Sequence, residues 1–439
     1  MSEWLVVPFG NLAELVRDTV DPADVPNQLY VGLEHIGEGS LRLIGFGTAE
    51  DVSSPKFYFK EGDILFGKLR PYFRKLIRAP FDGICSTDIW VVRPCQGIDR
   101  DFLFYLMASD IFIEPIVRAS TGTRMPRAQW EYAASVKLPY PPLPEQRAIA
   151  RILGALDDKI ELNRRMNETL EQLARALFKA WFVDFEPVRA KQDGRWRRGE
   201  SLPGMPAHLY DLFPDHLVDT EIGEIPEGWE MSTLGCILTE LVSGGRPRGG
   251  AVESGIPSVG AENVIGLGKY DYSKEKFIPE DFFDSLKARG ADVRNGDVLL
   301  YKDGAQIGRK TYFDDGFPHP VCAVNEHVFI LRTGRTWMQR YLYFWLDQDW
   351  MTNEIIALNS NSAQPGINQA GVRGLPILLP DNRVIQAFDE LIAPLTGKLF
   401  RNCHQSRTLA ALRDTLLPKL ITGELRVREV EKVLEGVVP

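Results

Sequence analysis

EGDILFGKLRPYFRK, Glu61 to Lys75, returns far downstream as RNGDVLLYKDGAQIGRK, Arg294 to Lys310. Each opens on a Gly-Asp turn, continues as a short apolar strand and ends in a cationic loop. Other segments recur around this pair in the same order. WLVVPFGNLAELV (Trp4 to Val16) matches WEMSTLGCILTELV (Trp229 to Val242), and VGLEHI (Val31 to Ile36) matches VGAENV (Val259 to Val264). FLFYLMAS (Phe102 to Ser109) pairs with YLYFWLDQ (Tyr341 to Gln348). Ser120 to Pro144 pairs with Ser360 to Pro380. Ordered matches at a slowly drifting offset predict a duplicated domain, and two copies are too few for a solenoid.

Each copy ends in a long helical pattern. From Pro144 to Trp181 apolar residues fall at Leu153, Leu156, Ile160, Leu170, Leu177 and Trp181, with Asn163 and Asn167 on the same stripe. This is a heptad seam with polar layers at its middle, roughly 55 Å long at about 1.5 Å per residue. The second copy answers it with Leu395, Leu399, Asn402, Ser406, Leu409, Leu412, Leu416 and Leu420, where Leu412 stands opposite Leu173 in the alignment. Pro394 and Gly397 weaken the start of this helix, and Pro418 is expected to end it. Two such seams in one chain can bury each other, with the Asn and Ser layers fixing register.

The expected fold is therefore mixed α+β. Two similar globular domains, residues 1–142 and 229–381, are joined and separated by long helices over 143–184 and 382–422, packed as an antiparallel coiled coil with pseudo-twofold duplication. A Pro- and Gly-punctuated connection covers 185–228, and a tail covers 423–439. The connection's Trp196, Leu209, Tyr210, Leu212 and Phe213 either cover the base of the second domain or dock a partner.

Composition limits the function. The chain has 439 residues, 44% of them apolar, and a formal net charge of −9. That acidity argues against indiscriminate coating of nucleic acid, which needs clustered Lys and Arg. Local charge is patterned, however. Between Lys56 and Arg78 stand seven basic residues against two acidic ones. Five scattered cysteines without C-x-x-C spacing predict neither a disulfide framework nor a zinc site. No signal segment or run of about 18 apolar residues is present, so a cytoplasmic protein without a membrane span is expected.

Catalytic patterns are missing. There is no H-E-x-x-H, P-loop, Rossmann fingerprint or G-x-S-x-G elbow, and Asp157-Asp158-Lys159 sits mid-helix. No catalytic residue, metal site or cofactor site is expected. The repeats instead offer loops suited to DNA. The first presents Lys68, Arg70, Tyr72, Arg74 and Lys75. The second presents Lys302, Gln306, Arg309 and Lys310. Small polar loops add Thr123 and Arg124 in one copy and Gln364 in the other. Arg suits guanine, Gln suits adenine, and Lys and Thr suit phosphate or base edges. The loops share a frame but not side chains, as two readers of different sequences would.

The GD[IV]L-x-x-K segments, the LP-x-x-PLPEQRAI junction, LDDKIELNRRMNETLEQLARALFKAWFVDF, GEIPEGWE and LLPKLITGEL together resemble the specificity subunit of type I restriction-modification systems, over nearly the whole chain. The resemblance implies two target-recognition domains, each reading half of a bipartite site in double-stranded DNA, with the helices as spacer. It also implies docking of two methyltransferase subunits and, through them, restriction and motor subunits. S-adenosylmethionine, ATP and Mg would then belong to those partners. The first loop, LRPYFRK, lacks the two glycines of DGAQIGRK and is expected to approach DNA differently. A self-contained methyltransferase or nuclease, and a coiled-coil assembly scaffold, are the alternatives.

Overall fold

The computed structural model describes residues 4–120, 124–220, 223–304, 306–359 and 366–427. The chain divides into two compact units, residues 1–160 with 408–439, and residues 161–407. The division cuts through both long helices, Leu143–Phe182 and Asn382–Thr422.

In the first unit, a four-stranded antiparallel sheet runs Ala13–Val16, Ile89–Pro94, Ile64–Gly67, Leu76–Arg78. A five-stranded sheet beside it contains one parallel pair, Leu29–Val31 with Gly83–Cys85. A two-stranded ribbon joins Leu5–Pro8 to Lys137–Tyr140. The second unit repeats the plan. Its four strands run Glu240–Ser243, Val328–Arg332, Val298–Tyr301, Lys310–Tyr312. Its parallel pair is Ile256–Val259 with Ala323–Val324, and its ribbon is Glu230–Thr233 with Pro376–Leu379. Behind each sheet lies a helix apolar on all sides, with Phe102 to Met107 buried in one and Tyr341 to Leu346 in the other. A second helix packs on each, Asp110–Ala119 and Asp349–Ala357, so neither has a face to solvate.

The Gly-Asp turns owe their sequence to a buried ion pair. Gly62 and Gly296 take φ of 84° and 91°, where a side chain is strained. The next residue, Asp63, accepts the Lys60 backbone N–H at 2.8 Å and is gripped by Arg93 at 2.7 and 2.8 Å. Asp297 does the same with the Arg294 N–H (2.8 Å) and Arg332 (2.7 Å twice). The arginine sits on the neighbouring strand, so the pair locks turn and register together.

The long helices pack antiparallel on each other within each unit. In the second unit Asn163 donates to Gln405 Oε1 at 2.9 Å, and Asn402 donates to Asn167 Oδ1 at 2.9 Å. In the first, Arg413 donates to Asp157 Oδ1 at 2.8 Å, and Tyr105 donates to the other oxygen of the same carboxylate at 2.7 Å. Of the seam residues, Leu153, Asn163, Leu399 and Asn402 are buried, while Leu156, Ile160, Asn167, Leu170, Leu177, Leu395, Ser406, Leu409 and Leu416 are half-buried. Leu173 and Leu412 are corrections. They are 46% and 39% exposed, because each stands one residue off the seven-residue period, which runs 160, 167, 174, 181 on one helix and 399, 406, 413, 420 on the other. The second helix also runs unbroken through Pro394 and Pro418 to Thr422, whose hydroxyl donates to the Pro418 carbonyl at 2.8 Å.

The connection is more regular than its punctuation implies. It holds a short helix, Glu186–Gln192, and a hairpin, Leu217–Thr220 with Gly223–Pro226. Trp196, Leu209 and Phe213 are buried, and Tyr210 and Leu212 pack beside them in the second unit's core. Trp196 stacks edge-on to Tyr210, and Trp181 to Phe213, both at 5.0 Å between ring centres. Their role is to close the base of that domain.

Arg332→Met strands a carboxylate that is 2% exposed and should cost about 3–5 kcal/mol in urea unfolding. A loss under about 1 kcal/mol would contradict the anchoring role. Trp196→Ala should likewise cost about 3–5 kcal/mol, with the loss confined to the unfolding of the second unit. An unaltered melt would place the connection outside the core.

Candidate nucleic-acid interface

Strand register aligns the two loops residue by residue. Gly67 N–H bonds Lys75 O, and Tyr301 N–H bonds Arg309 O, each at 2.8 Å. Arg70 therefore stands where Gly304 stands, Tyr72 where Gln306 stands, and Arg74 where Gly308 stands. Gly304 and Gly308 have φ of 91° and 90°; Arg70 and Arg74 have φ of 51° and 50°. The first loop thus follows the same left-handed path without glycine. An arginine there costs about 1–2 kcal/mol each. Non-glycine residues held at such positions concentrate at functional sites.

The knuckle between these arginines is a turn of 3-10 helix, Pro71–Phe73, which thrusts Tyr72 into solvent. Arg70 is pinned by its backbone N–H to Pro126 O at 2.7 Å and by its guanidinium to Arg124 O at 3.4 Å. That brings the exposed Arg124 beside the first loop. Arg74 bonds Asp110. Lys68 is half-buried, and its N–H bonds Asp88 O at 2.9 Å. Lys75 turns its ammonium to Leu33 O at 2.7 Å. Thr123 and Gln364 lie outside the described residues.

In the second loop Gln306 and Arg309 are exposed. Lys302 lies against the Phe329 ring and pairs with Asp303 at 2.6 Å. Lys310 is a correction. It begins the strand at the position of the core residue Leu76, is 7% exposed, and donates to Leu346 O at 2.7 Å and Thr352 Oγ1 at 2.6 Å. Burial pushes its pKa from 10.5 down to about 8, partly opposed by Asp347. This ammonium braces the loop from inside, so it is not free to touch a ligand.

Residues that the sequence reading passed over converge here. In the first domain Arg127 grips Asp88 at 3.0 and 3.2 Å next to the loop. In the second, a cleft of about 730 Å³ is lined by Arg246, Lys276, Tyr301, Asp303, Asn325 and His327, with Gln306 at its edge. Only GGRPRGG, Gly244 to Gly250, carried a visible signal, two arginines framed by glycines. The others meet only through the fold.

Two loops of matching backbone on a duplicated frame, with helix packed on helix, define a tandem two-domain scaffold. Residues 1–172 match the family described as the type I restriction modification DNA specificity domain. The HindI specificity subunit of Haemophilus influenzae is 26% identical over 97% of this chain and all of its own length. The EcoDI specificity subunit of Escherichia coli is 31% identical over 39% of each chain. The crystal structure of the S subunit from M. genitalium shares the fold, with a TM-score of 0.55 at 16% identity over 95% of this chain and 96% of that one. Over nearly its whole length the chain is thus similar to type I restriction enzyme specificity subunits. Among the described residues no helix is long and apolar enough to cross a membrane.

Between pH 8 and 10.5 the unfolded chain keeps the Lys310 proton that the folded chain has lost, so the stability of the wild type should rise with pH there. Relative to Lys310→Met, the wild type should gain about 3 kcal/mol across that window. A pH-independent difference in urea midpoints would contradict the buried ammonium.

Proposed function

We propose that this chain is the DNA-reading, non-catalytic subunit of a type I restriction-modification enzyme. Each domain reads one half of a bipartite duplex site. The paired helices set the distance between the halves and hold two methyltransferase subunits, which in turn recruit restriction and motor subunits. S-adenosylmethionine, ATP and Mg are bound by those partners, and this chain supplies position. One observation carries the reading. The same left-handed loop is built twice, once with Arg70, Tyr72 and Arg74 and once with Gly304, Gln306 and Gly308. A shared frame with unlike exposed side chains is what two readers of different sequences require. The contacts come from Lys68, Arg70, Tyr72, Arg74, Arg124, Lys302, Gln306 and Arg309, with Thr123 and Gln364 added from the polar stretches of sequence that hold them. Lys75 acts from behind through its backbone carbonyl.

The decisive experiment is sequencing of methylated bases in a host that carries this chain with its methyltransferase. A split motif is expected, and exchanging residues 1–142 for those of a relative should alter one half alone. A continuous motif, or alteration of both halves, would defeat the two-reader reading. The spacer has its own test. Deleting residues 161–167 together with the facing residues 402–408 removes the polar layers as a unit and shortens each helix by about 10 Å. The gap between half-sites should contract by about three base pairs, at roughly 3.4 Å each. A gap of unchanged length would refute the spacer role.

A further inference from the structure

We infer that Arg246 is a specificity-determining residue of the second domain and that it reads the guanine of a G·C pair, with Arg248 gripping the adjoining phosphate. This rests on the reading that the domain lies against duplex DNA, and goes beyond it in naming the base pair and the donor. The loop GGRPRGG leaves the edge strand Glu240–Ser243 at Gly244. A Cβ on Gly244 would lie 1.6 Å from the Val324 carbonyl oxygen, so only glycine lets the loop start against the turn that carries Asn325 and His327. Pro247 disfavours the helical conformation for Arg246 and keeps it extended. A turn then closes with Gly250 N–H on Pro247 O at 3.1 Å, with Gly249 at φ 88° supplying its left-handed corner. The Arg246 guanidinium folds over the open face of Gly250, whose Cβ would come within 3.5 Å of it. The loop is therefore ordered before any ligand arrives, although Arg246 and Arg248 are both exposed.

Charge pairing in the cleft singles out Arg246. Lys276 is taken by Glu262 at 2.9 Å, and His327 is shared by Asp303 at 3.2 Å and Glu326 at 3.5 Å. Among the described residues Arg246 has no acid within ion-pair distance, yet it lines the same cleft. A planar fork of donors with no acid of its own shares one opening with two carboxylates, Asp303 and Glu326. Guanine offers O6 and N7 as paired acceptors, and its cytosine partner offers the N4 amino donor. That is the complement of this arrangement. The first copy has no equivalent. The residues after its strand Ala13–Val16 read RDTVDPAD, with three aspartates.

The test uses the chain assembled with its methyltransferase subunits and a randomised duplex library, comparing wild type, Arg246→Ala, Arg246→Lys and Arg248→Ala. Arg246→Ala should lose selectivity about 10- to 100-fold at one G·C position in one half-site and leave the other half untouched. Arg246→Lys keeps the charge but not the fork, and should lose the same selectivity. Arg248→Ala should weaken all sequences evenly and lower the slope of log affinity against log salt by about one. Retention of the full motif by Arg246→Ala, or loss at an A·T position, would overturn the assignment. A wild-type complex that selects no split motif at all would overturn the proposed function itself. Thermal melts of the variants should match wild type; a lowered melt with both half-sites degraded would mark Arg246 as structural and overturn the assignment too.

Discussion

In both copies a buried aspartate ties the turn ahead of the central strand to an arginine on its antiparallel neighbour. The carboxylate takes two guanidinium hydrogen bonds and one from the backbone, so turn, register and strand spacing are set by a single group. The loop beyond the strand inherits that precision. Slipping the register by one residue would send every side chain to the opposite face and carry that loop away from the polar segment pinned beside it.

What the anchor holds is a backbone shape that is costly to build. Two left-handed residues four apart, one at each end of the knuckle, are needed in each loop. The second copy meets the need with glycines and leaves the exposed chemistry to Gln306 and Arg309. The first copy meets it with arginines, accepting strain to place two cations where the other has none. The same scaffold therefore offers two chemically distinct surfaces without altering its core.

The helices obey a different constraint. Their meeting is polar at the centre, where Asn163, Asn167 and Asn402 bond across, and it becomes apolar where each helix enters a domain core. Asparagine layers are poor adhesive but good registers, since a shifted pairing leaves buried amides unpaired. Trp181 and Phe178 on one helix, and Leu417 and Leu420 on the other, then root each end in its own globule.

Duplication, the paired helices and the absence of catalytic signatures were legible in the residue string, because repeats, heptads and motifs are properties of order along a chain. Lys68, Arg70, Tyr72 and Gln306 were legible as loop residues for the same reason. Lys310 was not. Its charge suggested a surface, but it occupies a position that is leucine in the other copy, and only the strand pairing shows that. Leu173 and Leu412 match each other between the copies, but each stands one residue off the seven-residue period and faces solvent. The cleft of Arg246, Asp303, Asn325 and His327 was beyond reach as well, since its members are far apart in sequence and share no period. Local order dictates which elements form; which side chains meet is settled by how those elements close on one another, where burial and pairing are set across the whole fold.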